Sequence, residues 1–131
     1  MRLVDPAAEG TTYPDVNFEV TAERVTAFRQ VFGGSRGVPP TFLAAAESSV
    51  YPTIVNDPRL GLDFSRVVHG SQEYEHVRPV REGERLTVRA RIDGVRVRAG
   101  TGFLTIAIAL LDAEGEPVAV SRSTMIERGE T

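Results

Sequence analysis

The chain has 131 residues, 41% of them hydrophobic and 25% charged, with a net charge of −3 and no cysteine. That length and mix fit one soluble globular domain with a sizeable core. The missing cysteine excludes disulfides, thiol nucleophiles and Cys-ligated metals. A slightly acidic balance without a basic run argues against nucleic acid as a partner. No stretch approaches the roughly 18 apolar residues of a membrane span, and MRLVDPAAEGTTYPD lacks an apolar core of signal-peptide length, so a cytoplasmic protein is expected.

Residues 1–11 carry Pro6 and Gly10 and little to bury, which predicts a loose start. Val16, Phe18 and Val20 alternate with Asn17 and Glu19, so Tyr13 to Val20 reads as a short strand. Thr21 is a good N-cap, Glu23 suits the positive end of a helix, and Val25, Phe28 and Phe32 recur at helical spacing up to the Gly33-Gly34 stop. VPPTFLAAAESSVYPTIVND, residues 38–57, predicts the central element. Prolines at its start suit a first helical turn, the helix over residues ~40–55 is apolar on nearly every side, and Pro52 should kink or end it. Phe64 to Val80 is extended but polar, with Tyr74, His76 and Arg78 on one face and Glu73, Glu75 and Val77 on the other. Leu86, Val88, Ala90 and Ile92 give a one-sided strand, and the parity change after Asp93-Gly94 marks a β-bulge. FLTIAIALL, from Phe103 to Leu111, is apolar on both faces and predicts a central strand. A turn at Ala113–Glu116 leads to a last strand, Val118 to Ile126. A buried helix followed by a run of strands predicts an α+β chain in which one antiparallel sheet wraps around one helix.

That order of elements resembles the hot-dog fold. FEVTAERVTAFRQVFGG, VPPTF and VVHGSQEYEHVRPVREGERLTVRARI together resemble the MaoC-like dehydratases, and within them the N-terminal or non-catalytic half. The nearest likeness is to accessory subunits of the heterodimeric (3R)-hydroxyacyl-ACP dehydratase of bacterial fatty-acid synthesis. The resemblance spans residues ~12–128, and His69 to Leu86, with its HG, RP and G-E-R-L elements, is its most specific part. It implies one hot-dog domain over residues 1–131.

Catalytic members of that family carry G-D-x-N-P-x-H after the first helix, and its Asp and His move protons on an acyl thioester. Laid on this chain, the Gly falls on Gly33, the Asp on Gly34, the Asn on Arg36 and the His on Pro39. The acid and the base are both missing. Asp15-Val16-Asn17 also reads D-x-N, but it precedes the first helix, lacks the proline and has Val20 where the histidine belongs.

Glu47 sits mid-way along the helix expected to be buried, where burial would raise its pKa toward that of a general base. Some hot-dog thioesterases use a carboxylate there; the structural alternative is a carboxylate facing a dimer interface or a solvent-filled end. His69 faces either a pocket or a hydrogen bond at a strand start, and His76 either Glu73, Glu75 or solvent. Two histidines seven apart do not make a metal cluster. Phe42, Ala45, Ala46 and Tyr51 line either an acyl-chain tunnel or the core.

The resemblance implies an accessory subunit with no catalytic residue of its own. It would hold the acyl chain of an acyl-ACP or acyl-CoA while a second hot-dog subunit brings G-D-x-N-P-x-H. No metal or redox cofactor is implied. The rivals are an acyl-CoA thioesterase using Glu47 and a non-enzymatic acyl-binding homodimer, and hydration by the chain alone would make His69 and Glu47 the working pair.

Overall fold

The computed structural model describes residues 3–33 and 37–129. It has strands β1 (Val16–Glu19), β2 (Val67–His76), β3 (Arg85–Arg98), β4 (Thr101–Leu111) and β5 (Pro117–Glu127), and helices α1 (Ala22–Phe32), α2 (Leu43–Glu47) and α3 (Tyr51–Val55). All pairings are antiparallel, in one sheet of order β1-β3-β4-β5-β2. The helices cover one face. This is the α+β hot-dog architecture. No helix among the described residues is long and apolar enough to cross a membrane.

Strand alternation builds the core. Leu86, Val88, Ala90 and Ile92 of β3 turn to the helices and are at most 1% exposed, and Leu104, Ile106, Ile108 and Leu110 of β4 are fully buried beside them. Each of those Leu, Ile and Val side chains contributes roughly 1.5–3 kcal/mol by leaving water. The outer face of β4 is also buried at Ala107 and Leu111, as expected of a strand flanked on both sides. The register shifts between Ile92 and Gly94, at the change of parity visible in the sequence. Arg98 then pairs with Thr101 across a two-residue turn in which Ala99 and Gly100 take φ of 52° and 75°. Two positive φ values match the right-handed twist of the flanking strands.

Helix α1 begins where Thr21 Oγ1 accepts the Arg24 N–H at 3.1 Å and ends at Gly33, whose N–H bonds Arg29 O. Val25 and Phe28 anchor it, with Phe28 edge-on to Phe42 at 5.5 Å between centroids. Phe32 is 71% exposed and anchors nothing, since its side chain falls beyond the docked stripe.

The central helix differs from the expected continuous one. It is a 3-10 turn (Pro40–Phe42), then α2, a turn at residues 48–50, then α3. Pro52 lacks the N–H that would bond Ser48 O, and its ring crowds that carbonyl, so the helix restarts at Tyr51. Ser48 and Ser49 hydroxyls bond back to Ala45 O and Ala46 O, which further loosens the ladder. Nor is the element buried all round: Leu43, Ala46, Glu47, Val50 and Ile54 are buried, while Ala44, Ser48, Pro52 and Thr53 are exposed.

Two other segments are shorter than expected. Of Tyr13–Val20 only Val16–Glu19 is strand, with a separate Thr12–Arg91 bridge. Residues 64–66 form a 3-10 turn capped by Asp63, and β2 stops at His76. The loops are tied by carboxylates. Glu127, 1% exposed, accepts Val4 N–H and Asp63 N–H at 2.6 Å each. Asp57 accepts from Tyr13 OH at 2.9 Å and from Arg59, which holds its carboxyl down to about 2.

Candidate functional site

Between α2–α3 and edge strand β2 runs a groove of about 660 Å³. Ala44, Glu47, Ser48, Tyr51, Pro52, Val55 and Asn56 line it from the helix side, and Phe64, His69, Gln72, Tyr74 and Met125 from the other. Helical spacing selects the first set. Positions 44, 47, 48 and 51 share one stripe, and positions 43, 46, 50 and 54 share the stripe that meets the core.

A bulge selects the second set. The register of β2 on β5 shifts between His69 and Ser71. Residues three apart normally face opposite sides of a strand, but the extra residue brings His69, Gln72 and Tyr74 all to the helix side. Gly70 makes this possible: a Cβ there would sit 2.8 Å from Ile126 Cδ1 and 3.2 Å from Thr124 O.

Glu47 is the chemical centre of the groove. It is 2% exposed. Tyr74 OH donates to its Oε2 at 3.1 Å, while Oε1 has no hydrogen-bond partner. Burial pushes its carboxyl above the ordinary value, and the neighbouring Ser121 and Tyr74 hydroxyls and the charge of His69 offset part of that. The Ser121 hydroxyl is close enough to bias ionisation without reaching hydrogen-bond geometry. Burial and the facing Glu47 also push the Tyr74 hydroxyl up, so it stays a donor. Next along the floor, Tyr51 OH meets Ser123 Oγ at 2.9 Å and Ser123 Oγ donates to Gln72 Oε1 at 2.6 Å. Gln72 Nε2 is buried with no partner.

Of the four residues expected either along an acyl tunnel or in the core, Tyr51 lines this groove. Phe42 and Ala46 are 1% and 0% exposed and belong to the core, and Ala45 is half-buried against it. They sit on the stripe that packs on the sheet, which an all-round apolar pattern did not separate from the groove stripe. His69 lines the groove and its Nε2 lies 2.9 Å from Ser71 O. His76 stacks on Tyr74 at 5.6 Å rather than meeting a carboxylate. Gln72, Ser121 and Ser123 were missed. Their signal is present: Ser121 and Ser123 take helix-facing positions in β5, opposite Ile108 and Ile106, where an apolar residue is the default.

A second hollow of about 390 Å³ lies between Val38–Leu43 and His76–Val80 and includes Pro39, where the family motif has histidine. Gly34 and Arg36 lie outside the described residues. Asp15 of the decoy D-x-N is an ion-pair partner of Arg89 at 2.9 Å. The RP and G-E-R-L elements have a structural account: Arg78 bonds Glu84 at 2.6 Å and Asp112 at 3.2 Å, clamping the turn before β3 to the β4–β5 hairpin. Among the described residues no group of three or more His, Asp or Glu is arranged to hold a metal ion.

A helix-backed antiparallel sheet with a groove along its β2 edge defines a hot-dog protein. The model of the FAS1-like dehydratase domain region matches residues 33–121, and the chain belongs to this family, that of the MaoC-like hot-dog dehydratases and hydratases. It is 46% identical over 91 residues to a UPF0336 protein of Saccharopolyspora erythraea, covering 70% of this chain and 58% of that one. It is 34% identical over 143 aligned positions to a UPF0336 protein of Streptomyces griseus, covering 95% of both. Among solved structures it is similar in fold to a MaoC-like dehydratase (TM-score 0.78, 19% identity), covering 94% of this chain and 43% of that one. It is also similar to the C-terminally truncated HadBC (3R-hydroxyacyl-ACP dehydratase) complex of Mycobacterium tuberculosis (TM-score 0.72, 18% identity), covering 90% of this chain and 96% of that one.

Proposed function

We propose that the chain is the acyl-holding, non-catalytic subunit of a 3-hydroxyacyl-thioester dehydratase in cytoplasmic fatty-acid or related acyl-chain synthesis. A second hot-dog chain carrying G-D-x-N-P-x-H supplies the acid and the base. The observation that carries this reading is the groove itself: walled largely by apolar side chains, it opens beside β2, an edge strand with a free side for a partner. Hydration of a trans-2-enoyl thioester needs groups that give and take protons at C2 and C3. Gly34 and Pro39 have no titratable side chain, and the Arg36 guanidinium does not give up its proton near neutral pH. The purified chain is therefore expected to show no enoyl-CoA or enoyl-ACP hydration above buffer. Mixed with a partner bearing the motif, it is expected to form a complex and raise turnover above that of the partner alone, more for longer acyl chains. A well-placed acid or base is worth about 10²–10⁴ in rate, so robust turnover by the chain alone overturns the reading.

Glu47 supports a second reading, an acyl-CoA thioesterase. A carboxylate made more basic by burial, in an apolar groove and beside a tyrosine donor, is suited to taking a proton from water. Hydrolysis of acyl-CoA by the purified chain that is lost in Glu47→Gln supports it. No hydrolysis of short, long or aromatic acyl-CoA by the unmutated chain removes it.

A further inference from the structure

We propose that the acyl chain held in this groove carries a hydroxyl group along its tail, in addition to the C3 hydroxyl that a dehydratase removes. The inference rests on the acyl-holding reading and specifies the substrate class.

A groove for a plain alkyl tail needs only apolar walls. This one has them at Val55, Phe64 and Met125, but its floor is polar. Three polar atoms on or beside that floor are buried without a protein partner: Glu47 Oε1, an acceptor, Gln72 Nε2, a donor, and the Ser121 hydroxyl next to Glu47. Ser123 Oγ donates to Gln72 Oε1, so the amide nitrogen is the atom left over. The other polar groups of the floor are committed to each other, Tyr74 to Glu47 and Tyr51 to Ser123. Leaving a buried polar atom unpaired costs about 1–3 kcal/mol, and an alkyl chain laid over the floor seals that cost in. A hydroxyl removes it. Its O–H donates to the Glu47 carboxylate, and its lone pair accepts from the Gln72 amide. A keto oxygen only accepts, so it satisfies Gln72 and leaves an ionised Glu47 unpaired. The floor also sits on the element that distinguishes this groove. The Gly70 bulge turns Gln72 inward, and β5 places Ser123 beneath it where β4 places isoleucine.

The test is binding of thioesters to the purified full chain by calorimetry. The probes are decanoyl-CoA, its isomers hydroxylated at the sixth, eighth or terminal carbon, and the corresponding keto compounds. At least one hydroxy isomer is expected to bind at least about tenfold tighter than decanoyl-CoA and than its keto analogue, since a site built to bond a hydroxyl rejects the analogue without one. Gln72→Met, which removes the amide and keeps the volume, is expected to abolish that preference, so that the hydroxy isomer and decanoyl-CoA bind alike. Equal binding of all the probes overturns the inference and leaves the acyl-holding reading standing. A hydroxyl preference that survives both Gln72→Met and Glu47→Ala also overturns it. No binding of any probe overturns the acyl-holding reading and the inference together.

Discussion

Two carboxylates lie on the helix-facing side of this sheet or against it, equally hidden from solvent, and they illustrate opposite reasons for burying a charge. Glu127 is spent on structure: each of its oxygens takes a backbone N–H, from Val4 and from Asp63. Glu47 takes one tyrosine hydroxyl and keeps an oxygen unpaired. A buried group with an unmet bond is a cost to the fold that function explains better than stability does. The cost has a pH signature. Because the folded state raises the Glu47 carboxyl above its ordinary value of 4.5, the native protein binds that proton more tightly than the unfolded chain. Its stabilising contribution is full below the ordinary value and is lost as pH rises through the folded value, then levels off. Glu47→Gln cannot ionise and escapes that loss. Urea unfolding is expected to give matching midpoints for the two proteins at about pH 4, and a variant more stable by at least about 1 kcal/mol at about pH 8. A wild-type advantage that grows with pH contradicts the assignment.

At the scale of elements, what the sequence made legible is what depends on local pattern. The alternation of Leu86, Val88, Ala90 and Ile92, the parity change at Asp93-Gly94 and the two-faced run from Phe103 to Leu111 each appear as strands with the expected faces. The caps of α1 at Thr21 and Gly33 are also where the residue types put them. The candidate site was only half legible. Glu47 and Tyr51 stood out by type and place, and both line the groove. Phe42 and Ala46 fit a tunnel or the core by pattern, because a helix rich in alanine shows no clear polar stripe from which to tell its two faces apart, and they lie in the core. The break at residues 48–50 needed two weak signals to be summed, Pro52 and the pair Ser48-Ser49. Gln72 was hidden for another reason. Its face is set by a bulge at Gly70, and a polar strand such as VVHGSQEYEH has no hydrophobic alternation to reveal a parity change. Ser123 carries meaning only through its pairing with Gln72 and its contact with Tyr51, 72 residues away in sequence. Long-range pairings of that kind are set by the assembled sheet and not by any window of the chain.

At the scale of the whole molecule, the sheet ends on one side in β1, four residues long, and on the other in β2, ten residues long. A long unpaired edge is a template for pairing, and proteins usually blunt such edges with lysine, proline or short length. β2 has none of these. It also leaves Val68 42% exposed, and Val77 just beyond it 59% exposed. The edge is therefore expected to be covered, by a second copy when the chain is purified alone. Its charges favour a different occupant. All fifteen basic residues of the chain are arginine, yet none falls in β2, which carries Glu73 and Glu75. Pairing β2 with itself gathers four carboxylates along one seam, and like charges across strands are destabilising by a few tenths of a kcal/mol or more each. A partner edge bearing lysine or arginine turns the same charges to advantage. Salt separates the two cases, because screening relieves repulsion and weakens attraction. Light scattering at micromolar concentration is expected to give twice the mass of one chain, with the dimer strengthening as salt rises from about 0.05 to about 0.5 M. Glu73→Gln/Glu75→Gln is expected to tighten the self-dimer at low salt and to weaken the complex with a motif-bearing hot-dog partner. A single-chain mass at every salt concentration rules out the self-paired edge, and a heterocomplex indifferent to both substitutions and salt places the partner on another surface.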